Sequence, residues 1–154
     1  MAPELINQGS VAPWAIHQQL VALRGIMGQA RPRRSVALIV EDDQDERSLL
    51  AALLEETEFE VVECESAEAA LAVLYIKRDR VAMLFTDIEL AGMMDGVELA
   101  QIFSSHCPSA SVIVSSGKSD DRLGDLPPDA VYMAKPWRAL DVLIIAEHAL
   151  VSDR

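Results

Sequence analysis

The sequence predicts an α/β fold, a parallel sheet covered by helices on both faces, and three observations carry that expectation. From Ser35 onward, short apolar runs alternate with stretches of helical period. One run, Val81 to Asp87 (V-A-M-L-F-T-D), is apolar up to a threonine and a carboxylate, the pattern of a strand buried on both faces. Several of the other runs also end in charged or hydroxyl groups, and parallel strands present such tips along one edge of the sheet.

In chain order, Val36 to Val40 is the first strand and ends in Glu41-Asp42-Asp43. A helix follows from Gln44 to about Glu56, with Leu49, Leu50, Leu53 and Leu54 on one face. Phe59 to Val62 is a short second strand. Ser66 is placed to cap a helix running to about Arg78, with Ala67, Ala70, Leu71 and Leu74 inward. The third strand is Val81 to Thr86, and the loop from Ile88 to Met94 leads to a helix from Asp95 to Ser105. Ser111 to Val114 and Val131 to Ala134 complete the sheet. The last helix runs from Arg138 to about Leu150.

Residues 1–34 stand apart as an N-terminal extension, leaving 35–154 as the main domain. Ile16, Leu20, Leu23 and Met27 form one stripe of an extra N-terminal helix, and Arg31-Pro32-Arg33-Arg34 reads as a basic linker. That helix could pack on its own domain, pair two copies into a homodimer or bind a partner.

Half of the 154 residues are hydrophobic, enough for a sizeable core. No apolar run reaches membrane-spanning length, and the two cysteines, Cys64 and Cys107, lack metal-ligand spacing; a cytoplasmic protein with reduced thiols is expected. The net charge is −12, and because residues 1–34 hold four arginines against one glutamate, the remainder carries −15. So acidic a body disfavours direct nucleic-acid binding and suits divalent cations and basic protein surfaces.

The strand tips suggest a chemistry. Glu41 and Asp42, Asp87, Ser115 and Ser116, and Lys135 fall along one edge. Clustered carboxylates repel, and a bound cation relieves the repulsion. Hard oxygen ligands with few protein donors favour Mg²⁺. A carboxylate beside Mg²⁺ can act as nucleophile toward a phosphoryl group, with the lysine neutralising charge on the transferring oxygens. Taken singly, each group has an ordinary alternative: a helix cap for Glu41 or Asp43, a turn for the serines, a solvated charge for Lys135.

Together, L-I-V-E-D-D on the first strand, F-T-D-I-E-L with M-D-G on and after the third, V-I-V-S-S-G on the fourth and Y-M-A-K-P-W on the fifth resemble the receiver domain of two-component response regulators, in its single-domain form. The resemblance covers about Ser35 to Leu150 and implies a flavodoxin-like (βα)5 doubly wound sheet of order 2-1-3-4-5. It implies Mg²⁺-dependent transfer of a phosphoryl group from a histidine kinase or histidine phosphotransfer protein to Asp87. In that reading Asp42 and Asp87 bind the metal directly, Glu41 binds it through water, and the Glu89 backbone carbonyl completes the protein ligands. Ser115 and Lys135 hold the phosphoryl group, Tyr132 is the aromatic switch residue, Glu89 and Gly117 tune the rate of slow self-hydrolysis, and the bond before Pro136 is cis. Such a protein is a switch and not an enzyme.

Three features depart from the family pattern. The loop after Asp87 has Ala91 in place of a proline and is one residue longer before M-D-G. The segment between the fourth and fifth strands, with Gly124, Pro127 and Pro128, leaves room for only a short or irregular helix. Trp137 stands where phenylalanine is usual. With no output domain after the last helix, the expected outputs are binding of an unidentified target protein, phosphorelay, or a phosphate sink. His17, His106 and His148 are read as ordinary helix residues. Two alternatives are a pseudo-receiver acting only as an interaction module and a Mg-dependent aspartyl phosphohydrolase. The hydrolase lacks its D-x-D signature here.

Overall fold

The computed structural model describes residues 33–153, together with Gln18. Apart from Gln18, the expected N-terminal helix lies outside the described residues. By internal contacts the chain divides after Arg33, and the unit described here is Arg34–Arg154, up to Asp153.

Five strands, β1 (Val36–Val40), β2 (Glu60–Cys64), β3 (Val81–Asp87), β4 (Ser111–Ser116) and β5 (Val131–Ala134), alternate with four α-helices. The helices are α1 (Gln44–Leu54), α2 (Ala67–Lys77), α3 (Gly96–His106) and α4 (Ala139–Ser152). All strand pairs are parallel, in the order β2-β1-β3-β4-β5. The expected flavodoxin-like sheet is the one observed.

Alternation along the central strands sorts the core into two layers. Leu38, Val40, Leu84, Val112 and Val114 face α2 and α3, where they meet Ala70, Leu74, Val97 and Phe103. Ile39, Met83, Phe85 and Ile113 face α1 and α4, where they meet Leu50, Leu54, Val142 and Ala146. Every residue of β1 and β3 is buried, as an apolar run in a parallel sheet requires. One register shift occurs between Val36 and Ala37 in the β1–β3 pair.

Helix starts follow the sequence closely. Asp43 caps α1 by accepting from the Glu46 N–H at 2.9 Å, and Ser66 caps α2 by accepting from the Ala69 N–H at 3.1 Å. Asp95 and Glu98 form a reciprocal capping box at α3. Each cap is worth about 1 kcal/mol. The second strand begins at Glu60 and not at Phe59, because pairing of Val36 through Val40 with Glu60 through Cys64 sets its register. Phe59 instead plugs the layer under α1.

Between β4 and β5 the chain makes only a 3₁₀ turn, Asp121–Asp125. Its anchors are α3 and the N-cap of that helix. Arg122 pairs with Asp95, and the Gln101 side-chain amide donates to the Asp125 carbonyl at 2.7 Å. No described helix is long and apolar enough to cross a membrane.

Candidate functional site

The C-terminal tips of β1, β3, β4 and β5 meet at one edge. Asp87 ends β3 and is 8% exposed. Its register partner on β4 is Ser115, and the following Ile88 N–H donates to the Ser115 carbonyl at 2.9 Å. Lys135, directly after β5, donates its backbone N–H to the Ser116 carbonyl at 2.9 Å. These ladder bonds carry the Asp87 carboxylate, the Ser115 hydroxyl and the lysine as one set.

The Lys135 ammonium bridges three carboxylates. Its Nζ lies 3.0 Å from Asp87 Oδ2, 3.2 Å from Glu41 Oε2 and 2.6 Å from Glu46 Oε2. Burial works to lower the lysine pKa, but these hydrogen bonds and the charges of Asp87 and Glu41 outweigh it and raise the value. The Lys135–Pro136 peptide bond is cis, as expected.

Glu41 is held from behind. Its backbone carbonyl accepts from Arg47 Nη1 at 2.8 Å, and its Oε1 accepts from the Asp43 N–H at 3.1 Å. Burial, reinforced by the Asp87 charge, pushes its carboxyl up to about 7. The consequence for the metal-free protein has a definite sign. Between the ordinary carboxylate range and pH 7 the folded state binds more protons than the unfolded state, so stability falls as pH rises through that window. Glu41→Gln is expected to flatten this slope and recover on the order of 2 kcal/mol at pH 8, measured by urea unfolding at pH 5 and pH 8. An equal slope in both proteins would contradict it.

Ser115 is fully buried, and its Oγ is a buried side-chain oxygen without a hydrogen-bond partner. An orphaned buried hydroxyl costs about 1–3 kcal/mol unless a ligand satisfies it. Ser116 is different: its hydroxyl donates to the Lys118 carbonyl at 2.9 Å and so closes a turn.

Oxygen atoms of Glu41, Glu46 and Asp87 lie within 4.8 Å of one another, a hard-oxygen set whose chemistry fits Mg²⁺. Asp42 is exposed beside Glu41 and is not part of this trio. The Glu89 N–H donates to Asp87 Oδ1 at 3.3 Å, which places Glu89 directly against that carboxylate. Its side chain is exposed, 3.9 Å from Lys118 Nζ. Gly117 has open space where a Cβ would be. Tyr132 is half-buried against the layer under α2 and α3, two positions before Ala134 on β5.

A cleft of about 440 Å³ opens beside the carboxylates, lined in part by Leu49, Leu50, Phe85 and Trp137. The Phe85 and Trp137 rings meet edge-to-face, with centroids 5.8 Å apart.

Glu46 was not singled out by the sequence reading. The available signal was its place in the first turn of a helix that starts at the β1 tip, which returns its side chain to the same edge. Gly96 also gains a specific meaning. A Cβ there would lie 1.8 Å from the Asp87 carbonyl oxygen, so only glycine lets α3 start against the end of β3.

The sheet order and this edge define a doubly wound α/β domain with an acid, hydroxyl and lysine cluster at its strand tips. Residues 37–139 match the family model described as the response regulator receiver domain, and the chain belongs to that family. It is 31% identical over 121 residues to the nitrogen assimilation regulatory protein NtrX of Azorhizobium caulinodans, covering 76% of this chain and 26% of that protein. It is 29% identical over 118 residues to the response regulator receiver protein CpdR of Brucella abortus, covering 75% of this chain and 96% of CpdR. The chain thus spans about a quarter of NtrX and nearly all of CpdR. Among solved structures, a response regulator receiver protein from Sinorhizobium medicae WSM419 has a TM-score of 0.72 at 18% identity, over 79% of this chain and 98% of that one, a likeness of fold. A CheY-like receiver domain protein from Methanospirillum hungatei JF-1 has a TM-score of 0.65 at 26% identity, over 78% and 96%.

Proposed function

We propose that this receiver domain is a phosphoacceptor switch. It takes a phosphoryl group from a phosphohistidine of a kinase or phosphotransfer protein onto Asp87, and it signals through protein contacts that depend on that modification, by relay, or by draining phosphate. The observation that carries the reading is the buried, unpartnered Ser115 hydroxyl beside a carboxylate that is already paired to a lysine.

A carboxylate oxygen of Asp87 forms the new P–O bond while the P–N bond of the donor breaks, and the histidine nitrogen leaves with the electron pair. Lys135, at the acceptor carboxylate, pairs with the oxygens of the arriving group. The Ser115 hydroxyl donates to one of them and so loses its orphan status. Tyr132, on the neighbouring strand, then occupies space that the serine segment vacates. Glu41, Glu46 and Asp87, whose oxygens already cluster, would hold Mg²⁺ together with Asp42 and the Glu89 carbonyl, and the ion when bound neutralises charge on the transferring oxygens. Burial of Asp87 keeps water away and slows self-hydrolysis. The cleft walled by Leu49, Leu50 and Trp137 gives a donor side chain its approach.

Beryllofluoride, which imitates an aspartyl phosphate, tests the site directly. In a Trp14→Phe background, Trp137 reports alone, two residues from Lys135. Its fluorescence is expected to change only when Mg²⁺ and beryllofluoride are both present, and not in Asp87→Asn. A wild-type protein that stays silent with both would contradict the reading and favour an interaction module without phosphoryl chemistry.

A further inference from the structure

The loop between Asp87 and α3 is tied at its root and at its tip. At its root the Gly96 N–H donates to the Ile88 carbonyl at 2.8 Å, and the Glu89 N–H donates to the Asp87 carboxylate. At its tip Gly92 has φ of 106°, a conformation that favours glycine. The turn there aims the N–H groups of Met93 and Met94 at one point, a backbone nest of the kind that binds anions. The anion is internal. Glu68 Oε1, on the first turn of α2, accepts from Met93 at 3.1 Å and from Met94 at 3.2 Å. A Cβ at Gly92 would lie 3.0 Å from Glu68 Oε2, so the turn passes close to this exposed carboxylate. Glu68's own backbone N–H, then those of Met93 and Met94, hold its carboxyl below the usual range. The Ser66 cap keeps this first turn in place.

We propose that Glu68 is a positioning residue for the phosphoacceptor loop, its carboxylate filling the Met93–Met94 nest and thereby fixing the stretch that begins at Glu89. Glu68 touches neither Asp87 nor any group placed in the phosphoryl site. It acts through the loop: with root and tip both tied, the Glu89 segment is presented to the metal in one conformation, and binding does not have to order it. This inference rests on the receiver reading, in which the Glu89 carbonyl is a metal ligand.

The test compares Glu68→Ala and Glu68→Gln with the wild type, using Mg²⁺ alone as the probe. Amide hydrogen exchange at Met93 and Met94 in the metal-free protein reads the nest, and calorimetric titration reads Mg²⁺ affinity. In Glu68→Ala, exchange at the two amides is expected to rise about tenfold and Mg²⁺ affinity to fall about fivefold, the scale of lost hydrogen bonds. Glu68→Gln keeps an acceptor oxygen and is expected to recover most of both. Wild-type Mg²⁺ affinity in Glu68→Ala would overturn the inference and leave the receiver reading intact. Wild-type exchange at Met93 and Met94 in Glu68→Ala would also overturn it, because the carboxylate would then not be what holds the nest. A wild-type protein that binds no Mg²⁺ would remove the reading itself, and this inference with it.

Discussion

Gly96→Ala is expected to cost about 3 kcal/mol of stability and to lower the melting temperature by about 10 °C. The added Cβ would lie 1.8 Å from the Asp87 carbonyl oxygen, 2.7 Å from its carbonyl carbon and 2.9 Å from Ile88 Cα. All three are backbone atoms, so no side chain can swing aside. Relief requires α3 to move off the β3 tip, which strains the Gly96-to-Ile88 hydrogen bond and shifts Asp87. A displacement of about 1 Å at a reacting group costs on the order of a hundredfold in rate, so phosphorylation is expected to fall by about that factor. Gly124 makes a good control because a Cβ there meets nothing within 4 Å. Thermal unfolding of both variants checks the prediction. A Gly96→Ala protein as stable as Gly124→Ala would contradict it.

Asp87→Asn carries the larger functional effect. The substitution keeps the size of the side chain but removes the nucleophilic oxygen pair, so modification is expected to vanish and not merely slow. Its effect on folding is opposite in sign. Asp87 shares Lys135 with Glu41 and Glu46, and its charge helps to raise the Glu41 carboxyl. Three carboxylates around one ammonium leave excess negative charge, and removing one relieves it. The metal-free variant is therefore expected to be as stable as the wild type or somewhat more so at pH 8, which separates loss of chemistry from loss of fold.

Much of this was legible in the sequence because the signals are local. Val81 to Asp87 could be read as a buried strand from its apolar run. Ser66 announced its helix, and Gly124 with Pro127 and Pro128 announced that no full helix fits before β5, where the structure has a 3₁₀ turn. The edge residues Glu41, Asp87, Ser115 and Lys135 followed from parallel strand order alone. What escaped depends on distance in space between residues far apart in the chain. Glu68 meets Met93 across 25 positions. Glu46 meets Lys135 across 89. No periodicity encodes such meetings. The M-D-G motif was visible, yet the reason for its glycine is a contact with the backbone of β3, which only the packed fold displays.

Intact-mass spectrometry after incubation with Mg²⁺ and acetyl phosphate bears most directly on phosphoryl acceptance at Asp87. One added phosphoryl group on the wild type, none without Mg²⁺ and none on Asp87→Asn is the predicted result. An adduct of equal yield on Asp87→Asn would contradict it by placing the acceptor elsewhere.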